Sequence, residues 1–254
     1  MSSQAEVPRR TLRLVAAVTV LVIGAAGLVV CVTGAALQVL PRRFTAAQQQ
    51  AIMSWEVAAR WRQLRAGEIF RASVGYQPTS LLDDGTVDTL SLSAHRVGIA
   101  PQSSCDGALD TPVASVLVKH GCQAVLRATY ADTTDTYVVT VGVAVLSNAG
   151  SARAAASALT SSGRVPGVRT AMFPGTVAGE FTDARRQLSA DFSAGPYVVL
   201  YTVGYSDDRP VLPVSGDQYE SAEMTTMASG VAHSVADTLA AAPAVPHCPG
   251  APGC

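Results

Sequence analysis

The sequence predicts an α+β fold, a mostly antiparallel sheet with helices, carried behind an N-terminal transmembrane helix. Three observations point there. Residues 14–40 form one uncharged, apolar run. Period-two alternation recurs in "CQAVLRATYA" (122–131), "TYVVTVGVAVL" (136–146) and "PYVVLYTVGY" (196–205), the pattern of half-buried strands. Stretches with helical spacing and helix-start residues lie between and after them.

Five regions follow in order. Residues 1–13 are a basic cytoplasmic tail, 14–40 the anchor, and 41–66 a juxtamembrane helix. Residues 67–242 form an extracytoplasmic α+β domain, and 243–254 a Pro/Gly-rich tail. The anchor, "LVAAVTVLVIGAAGLVVCVTGAALQVL", holds no charge and only two Thr and one Gln. About 20 apolar residues suffice for a helix to cross the hydrocarbon core. A cleaved signal peptide is the rival reading, but its apolar core normally runs only about 7–15 residues. An uncleaved signal-anchor is therefore expected in the plasma membrane.

Orientation rests on charge and cysteines. Arg9, Arg10 and Arg13 precede the span while Arg42 and Arg43 follow it, so the positive-inside rule gives a slight preference for N-terminus inside. Residues 1–65 carry eight Arg against Glu6 and Glu56; residues 66–254 carry ten basic and seventeen acidic side chains. An acidic main domain repels a phosphate backbone, which argues against nucleic acid as a partner. The basic end suits the lipid bilayer. Gly24, Ala25, Ala26 and Gly27 would suit a homo-oligomer assembled through the span.

In "TAAQQQAIMSWEVAARWRQLRAG" (45–67), Thr45 can cap a helix and Gly67 can stop it. Met53, Val57, Trp61 and Leu64 make its stripe, and Glu56 and Arg60 are spaced for an ion pair. A helix packed on its own domain is the expected meaning; an interfacial helix with Arg60, Arg62 and Arg65 on anionic lipid is the alternative. "EIFRASVGY" (68–76) reads as a short strand and 77–91 as a polar loop. "LSAHRVGIA" (92–100) is a strand, and Thr111-Pro112 starts a helix over 112–120. The strands 122–131 and 136–146 follow. Ser151 caps an alanine-rich helix to residue 159, and "GVRTAMF" (167–173) is a further strand. This βαββαβ order suggests ferredoxin-like split βαβ elements. "AGEFTDARRQLSADF" reads as a short helix, 196–205 as a strand, and 218–241 as a final helix opened by Asp217 and Glu220.

Setting aside Cys31 in the span leaves Cys105, Cys122, Cys248 and Cys254, with three possible connectivities. One continuous helix over 105–122 would hold its ends about 25 Å apart, too far for a bridge. Pro112 argues against that helix and lets residues 105–110 double back. Local pairing, 105–122 and 248–254, is the expected arrangement. Reduced thiols in a cytosolic domain are the alternative, and a zinc site using His247 lacks C-x-x-C spacing. An even cysteine count favours an oxidising compartment, hence a C-terminal domain outside.

No catalytic or cofactor motif is present: no G-x-S-x-G, H-E-x-x-H, P-loop, dinucleotide fingerprint or EF-hand loop. No catalytic residue, metal ligand or cofactor is expected. His95 falls in a strand and His120 at a helix end. His233 and Asp237, one turn apart, would need a nearby nucleophile to act as base and orienter. Asp83 with Asp84, and Asp207 with Asp208 and Arg209, lie in turns, where Asp serves the backbone. Tyr197, Tyr201 and Tyr205 share one strand face, which reads as a half-buried sheet surface rather than an aromatic ligand wall.

The run from "AGEIF" to "VGY", the spaced "C…ALD…VASVL…HGC", "VLRATYAD" and "GPYVVLYTVGYSDDRP" resemble those of a group of actinobacterial single-pass membrane proteins without assigned activity. The likeness spans most of residues 45–240 and implies an envelope protein, with no site residues to carry over. A single lysine, Lys119, among eighteen basic residues and the high alanine content fit a GC-rich genome. The expected function is a membrane-anchored extracytoplasmic binding or interaction domain of unknown specificity, an accessory envelope or secretion component with an envelope protein partner. The alternatives are an envelope-acting enzyme using the acidic turns or His233 and Asp237, and a structural oligomerising membrane protein.

Overall fold

A twelve-residue strand, β4 (Leu92–Ser103), and three nine-residue strands, β5 (Ala124–Asp132), β6 (Tyr137–Val145) and β8 (Tyr197–Tyr205), build the sheet around which everything else packs. They belong to a computed structural model that describes residues 44–81, 87–159, 167–207, 209 and 222–243. The chain divides into two units, Met1–Gln48 and Gln49–Cys254, and the sheet belongs to the second. The expected anchor at 14–40, the basic tail at 1–13 and the cysteines Cys248 and Cys254 lie outside the described residues. Among the described residues, no helix is long and apolar enough to cross a membrane.

The remaining elements are α1 (Ala46–Gln63), α2 (Ala66–Ile69), β1 (Ser73–Tyr76), β2 (Thr79–Leu81), β3 (Val87–Thr89), α3 (Cys105–Ala108), α4 (Thr111–Lys119), α5 (Ala149–Leu159), β7 (Arg186–Ala194) and α6 (Ala222–Ala240). The main sheet runs β1-β4-β5-β6-β8-β7, and every neighbouring pair is antiparallel. β2 and β3 form a separate two-stranded ribbon inside the expected polar loop. The fold is therefore α+β with an antiparallel sheet.

Alternation decides which face each side chain serves. Ala128 and Tyr130 of β5, Val139, Val141, Val143 and Val145 of β6, and Tyr197, Val199, Tyr201 and Val203 of β8 all turn to one face. There they meet Met224, Met227, Val231 and Val235 of α6. The opposite face is buried as well. Val125, Ala144, Val198 and Leu200 pack under α4 and α5 with Leu117, Ala152, Ala155 and Val168. Burial on both faces explains the near-continuous apolar runs in β6 and β8.

Two turns close the β5–β6 and β7–β8 hairpins. Asp132 accepts from the Thr134 N–H (3.0 Å) and the Tyr137 N–H (2.7 Å), holding the β5–β6 turn in which Asp135 takes φ 55°. Gly195, at φ 57°, opens the tight β7–β8 connection, a backbone state that glycine enters without steric cost.

Several expectations are corrected. The segment 68–76 begins as a helix: Glu68 accepts from the Arg65 N–H at 2.7 Å, closing α2 and burying Ile69 and Phe70. The stretch 167–173 does not join the sheet. It pairs with the α3–α4 corner through Asp110 N to Gly167 O (3.1 Å) and Arg169 N to Ala108 O (2.9 Å), and lies across the sheet face. Residues 186–194 form strand β7 instead of a helix, because Leu188, Ala190, Phe192 and Ala194 alternate toward the α6 face. Asn148 caps α5, accepting from Ser151 N at 2.9 Å, so the helix starts before Ser151. Asp110 precedes α4, one residue ahead of the expected Thr111 cap.

The split βαβ arrangement is also corrected. β4 and β5 are direct antiparallel neighbours. α3 and α4 fold back on each other, so the chain leaves β4 and enters β5 at the same end of the sheet. Cys105 and Cys122 close that fold as a disulfide, with Cα atoms 6.4 Å apart. The expected bridge is present, though residues 105–108 return as a helical turn and not as extended chain.

Candidate functional site

Residues singled out from the sequence meet a cavity on the outer flank of α6. Its inner stripe is buried, so Gly230, His233, Ser234 and Asp237 are left along the side. On the β1 side they line a cavity of about 370 Å³ with Arg71, Ser73, Val74 and Gly75. On the β7 side, His233 and Asp237 border a second cavity of about 340 Å³ with Phe192, Ser193 and Ala194. His233 stands between the two, its ring 4.5 Å from that of Phe192.

The arrangement is polar but not assembled for acid–base chemistry. No side-chain hydrogen bond or ion pair joins His233 to Asp237, to Ser73 or to Ser234 among the described residues, although a base and its orienter work through such a bond. Among the described residues the Arg71 guanidinium likewise has no hydrogen-bond or ion-pair partner; its carbonyl accepts from the Tyr130 hydroxyl at 3.0 Å. Arg71, Ser73, His233, Ser234 and Asp237 thus line one concavity. Sequence reading found His233 and Asp237 by their one-turn spacing. It missed Arg71 and Ser73, which reach the site only because β1 lies beside α6.

The other candidates are placed elsewhere. Asp207 is held in a two-pronged ion pair with Arg209 at 2.6–3.0 Å, and the Arg209 hydrogen bonds keep its carboxyl below the ordinary range. Arg209 also lies over the Tyr205 ring at 3.9 Å. Asp208, Asp83 and Asp84 fall outside the described residues. Among the described residues, no cluster of His, Cys, Asp and Glu is suited to a metal ion. Tyr197 and Tyr201 are buried against the helices, so this strand face is core. Tyr197 donates to the Val57 carbonyl of α1, and burial pushes its phenol up to about 12. His95 lies 3.7 Å from Asp135 on the exposed end of the β5–β6 hairpin.

Two buried features went unread in the sequence. Thr129, Thr140, Thr202 and Ser189 stand in one cross-strand row, linked by 2.9 Å bonds between Thr129 and Thr140 and between Ser189 and Thr202. Thr129 donates to the Ala171 carbonyl and Thr140 accepts from the Ala171 N–H, fixing the crossing segment to the sheet. The neighbouring row holds Asp191, one of whose carboxylate oxygens is buried without a partner among the described residues; desolvation raises its carboxyl to about 6. The Thr and Ser row stabilises the fold, the Asp191 carboxylate does not, and neither feature opens onto either cavity.

Comparison with protein families, curated proteins and solved structures finds no match to this chain.

Proposed function

We propose that the chain is a membrane-anchored extracytoplasmic binding or interaction domain, an accessory component of an envelope or secretion assembly. The Cys105–Cys122 bridge carries this reading. Disulfides persist outside the cytosol and are rare within it. Residues 14–40 supply the anchor, the basic tail stays on the cytoplasmic side, and the small residues at 24–27 offer a contact for a second copy in the bilayer. The resemblance to actinobacterial single-pass proteins agrees with an envelope location. Binding is favoured over chemistry because the polar groups beside α6 are unlinked to one another and open to a partner.

The test is a phosphatase reporter, active only after export, fused behind Ala241. An active fusion is expected. An inactive reporter on a normally expressed fusion reverses the topology and removes the envelope function with it.

A further inference from the structure

We propose that the free edge of β1, together with the adjoining flank of α6, takes an extended acidic peptide as an added strand. This rests on the reading of the chain as a binding domain and names the class of its partner.

The backbone phase of β1 comes first. β1 is an edge strand of the main sheet, at the end away from β7. Its register pairs Ser73 with His95 and Val74 with Ala94, which places Ala72 opposite Arg96. Arg96 N donates to Ala72 O at 2.9 Å. Hydrogen-bonded and non-bonded pairs alternate along an antiparallel ladder, so Val74 and Tyr76 bond to β4 while Ser73 and Gly75 do not. Their N–H and C=O groups point away from the sheet, and no described residue bonds to them. Two donors and two acceptors therefore repeat about 6.8 Å apart, the two-residue spacing of another strand.

The space beside that edge fits a strand. The cavity has Ser73, Val74 and Gly75 as one wall and Gly230, His233, Ser234 and Asp237 as the other. The small residues keep the entrance clear, and Ser73 and Gly75 are exposed. An edge strand beside a helix lets main-chain bonds give affinity while alternate side chains enter the groove.

Charge selects the partner. Arg71 is the only charged group on the strand wall of the cavity, is exposed, and has no internal partner for its guanidinium among the described residues. It stands two residues before Ser73, in line with an incoming strand. A carboxylate in that register satisfies it. Asp237, on the helix wall, opposes the same carboxylate, so its removal strengthens binding.

The experiment uses the full chain in detergent micelles. The probes are end-blocked, fluorescein-labelled nine-residue peptides of alternating Thr and Val, with Glu, Gln or Lys placed in turn at each position. Fluorescence anisotropy reads the affinity. Expected are saturable binding of a Glu peptide, at least tenfold weaker binding of its Lys counterpart, and the reverse preference in Arg71→Glu. Gly75→Pro removes an outward N–H without touching the β1–β4 ladder and abolishes binding. A peptide N-methylated at the paired positions gives the same loss on the unaltered protein, which covers a failure of the proline variant to fold. Equal binding with the edge blocked, or no saturable binding by any peptide, overturns the proposal. An active reporter alongside such a result leaves the exported binding domain standing and removes only this edge.

Discussion

At the scale of single residues, Gly142 and Asp191 carry the sharpest consequences. A Cβ on Gly142 would come within 2.7 Å of the Val168 side chain, which crosses the sheet at that point. Gly142→Ala is expected to cost about 1–3 kcal/mol through overpacking. Val168→Ala in the same chain should recover much of that loss, as read by urea unfolding of the two singles and the double. Asp191 acts through protonation. Its folded carboxyl, raised to about 6 by burial, binds a proton more readily than the ordinary carboxyl at 3.8. The folded state therefore holds the extra proton between those values, and stability falls as pH rises from about 4 to 6, then levels. Asp191→Asn should be more stable than the parent at pH 7 and flatten that slope, measured by denaturation at pH 4, 5, 6 and 7. A slope unchanged in the variant assigns the pH dependence to another group.

At the scale of elements, α1 is an integral part of the domain. Thr45 and Gln48 cap its start reciprocally, and Ile52 and Val57 are buried. Tyr197 donates to the Val57 carbonyl, and Arg60 reaches the carbonyls of Thr238, Leu239 and Ala241 at the end of α6. Arg60 thus serves a helix C-terminus, where a cation is favoured, and not the lipid of the alternative reading. Tyr197→Phe and Arg60→Ala should each cost about 1 kcal/mol and raise amide exchange in α1. Replacing Cys105 and Cys122 by Ser should cost about 3 kcal/mol for a loop of this size. The strands at 122–131, 136–146 and 196–205 were legible because alternation at 3–4 positions on one face leaves little choice of period. The split βαβ order was not. A crossover helix carries the chain to the far end of a sheet, about 30 Å away for nine residues. Cysteines flanking that crossover could not then meet, so the bridge and the split order exclude each other. β7 was misread because its polar residues, Arg186, Gln187, Ser189 and Ser193, obscured the alternation of its apolar ones. Arg71 and Ser73 could not be joined to His233 and Asp237 from spacing, since the sheet order alone brings them together.

At the scale of the whole molecule, the sheet is covered on both faces, and one cover comes from distant parts of the sequence. The α6 face draws on α1, α2 and β1 from the start of the unit and on α6 from its end. A chain begun at Phe44 should therefore unfold in one transition, whereas one begun at Gly67 loses Ile52, Val57 and the Arg60 contacts. The shorter chain should show a lower urea midpoint and exposed apolar surface by dye binding. Equal midpoints would make α1 dispensable. The Cys105–Cys122 bridge has a different kind of consequence, for the order of events during synthesis. Its two cysteines are 17 residues apart, and Cys248 and Cys254 lie more than a hundred residues further along. At about 5–20 residues per second, the ribosome delivers the first pair several seconds before a competing thiol from the tail exists. Were the chain exported as proposed, this pair would meet its oxidant before the tail thiols, so local pairing would follow from timing and need no later reshuffling.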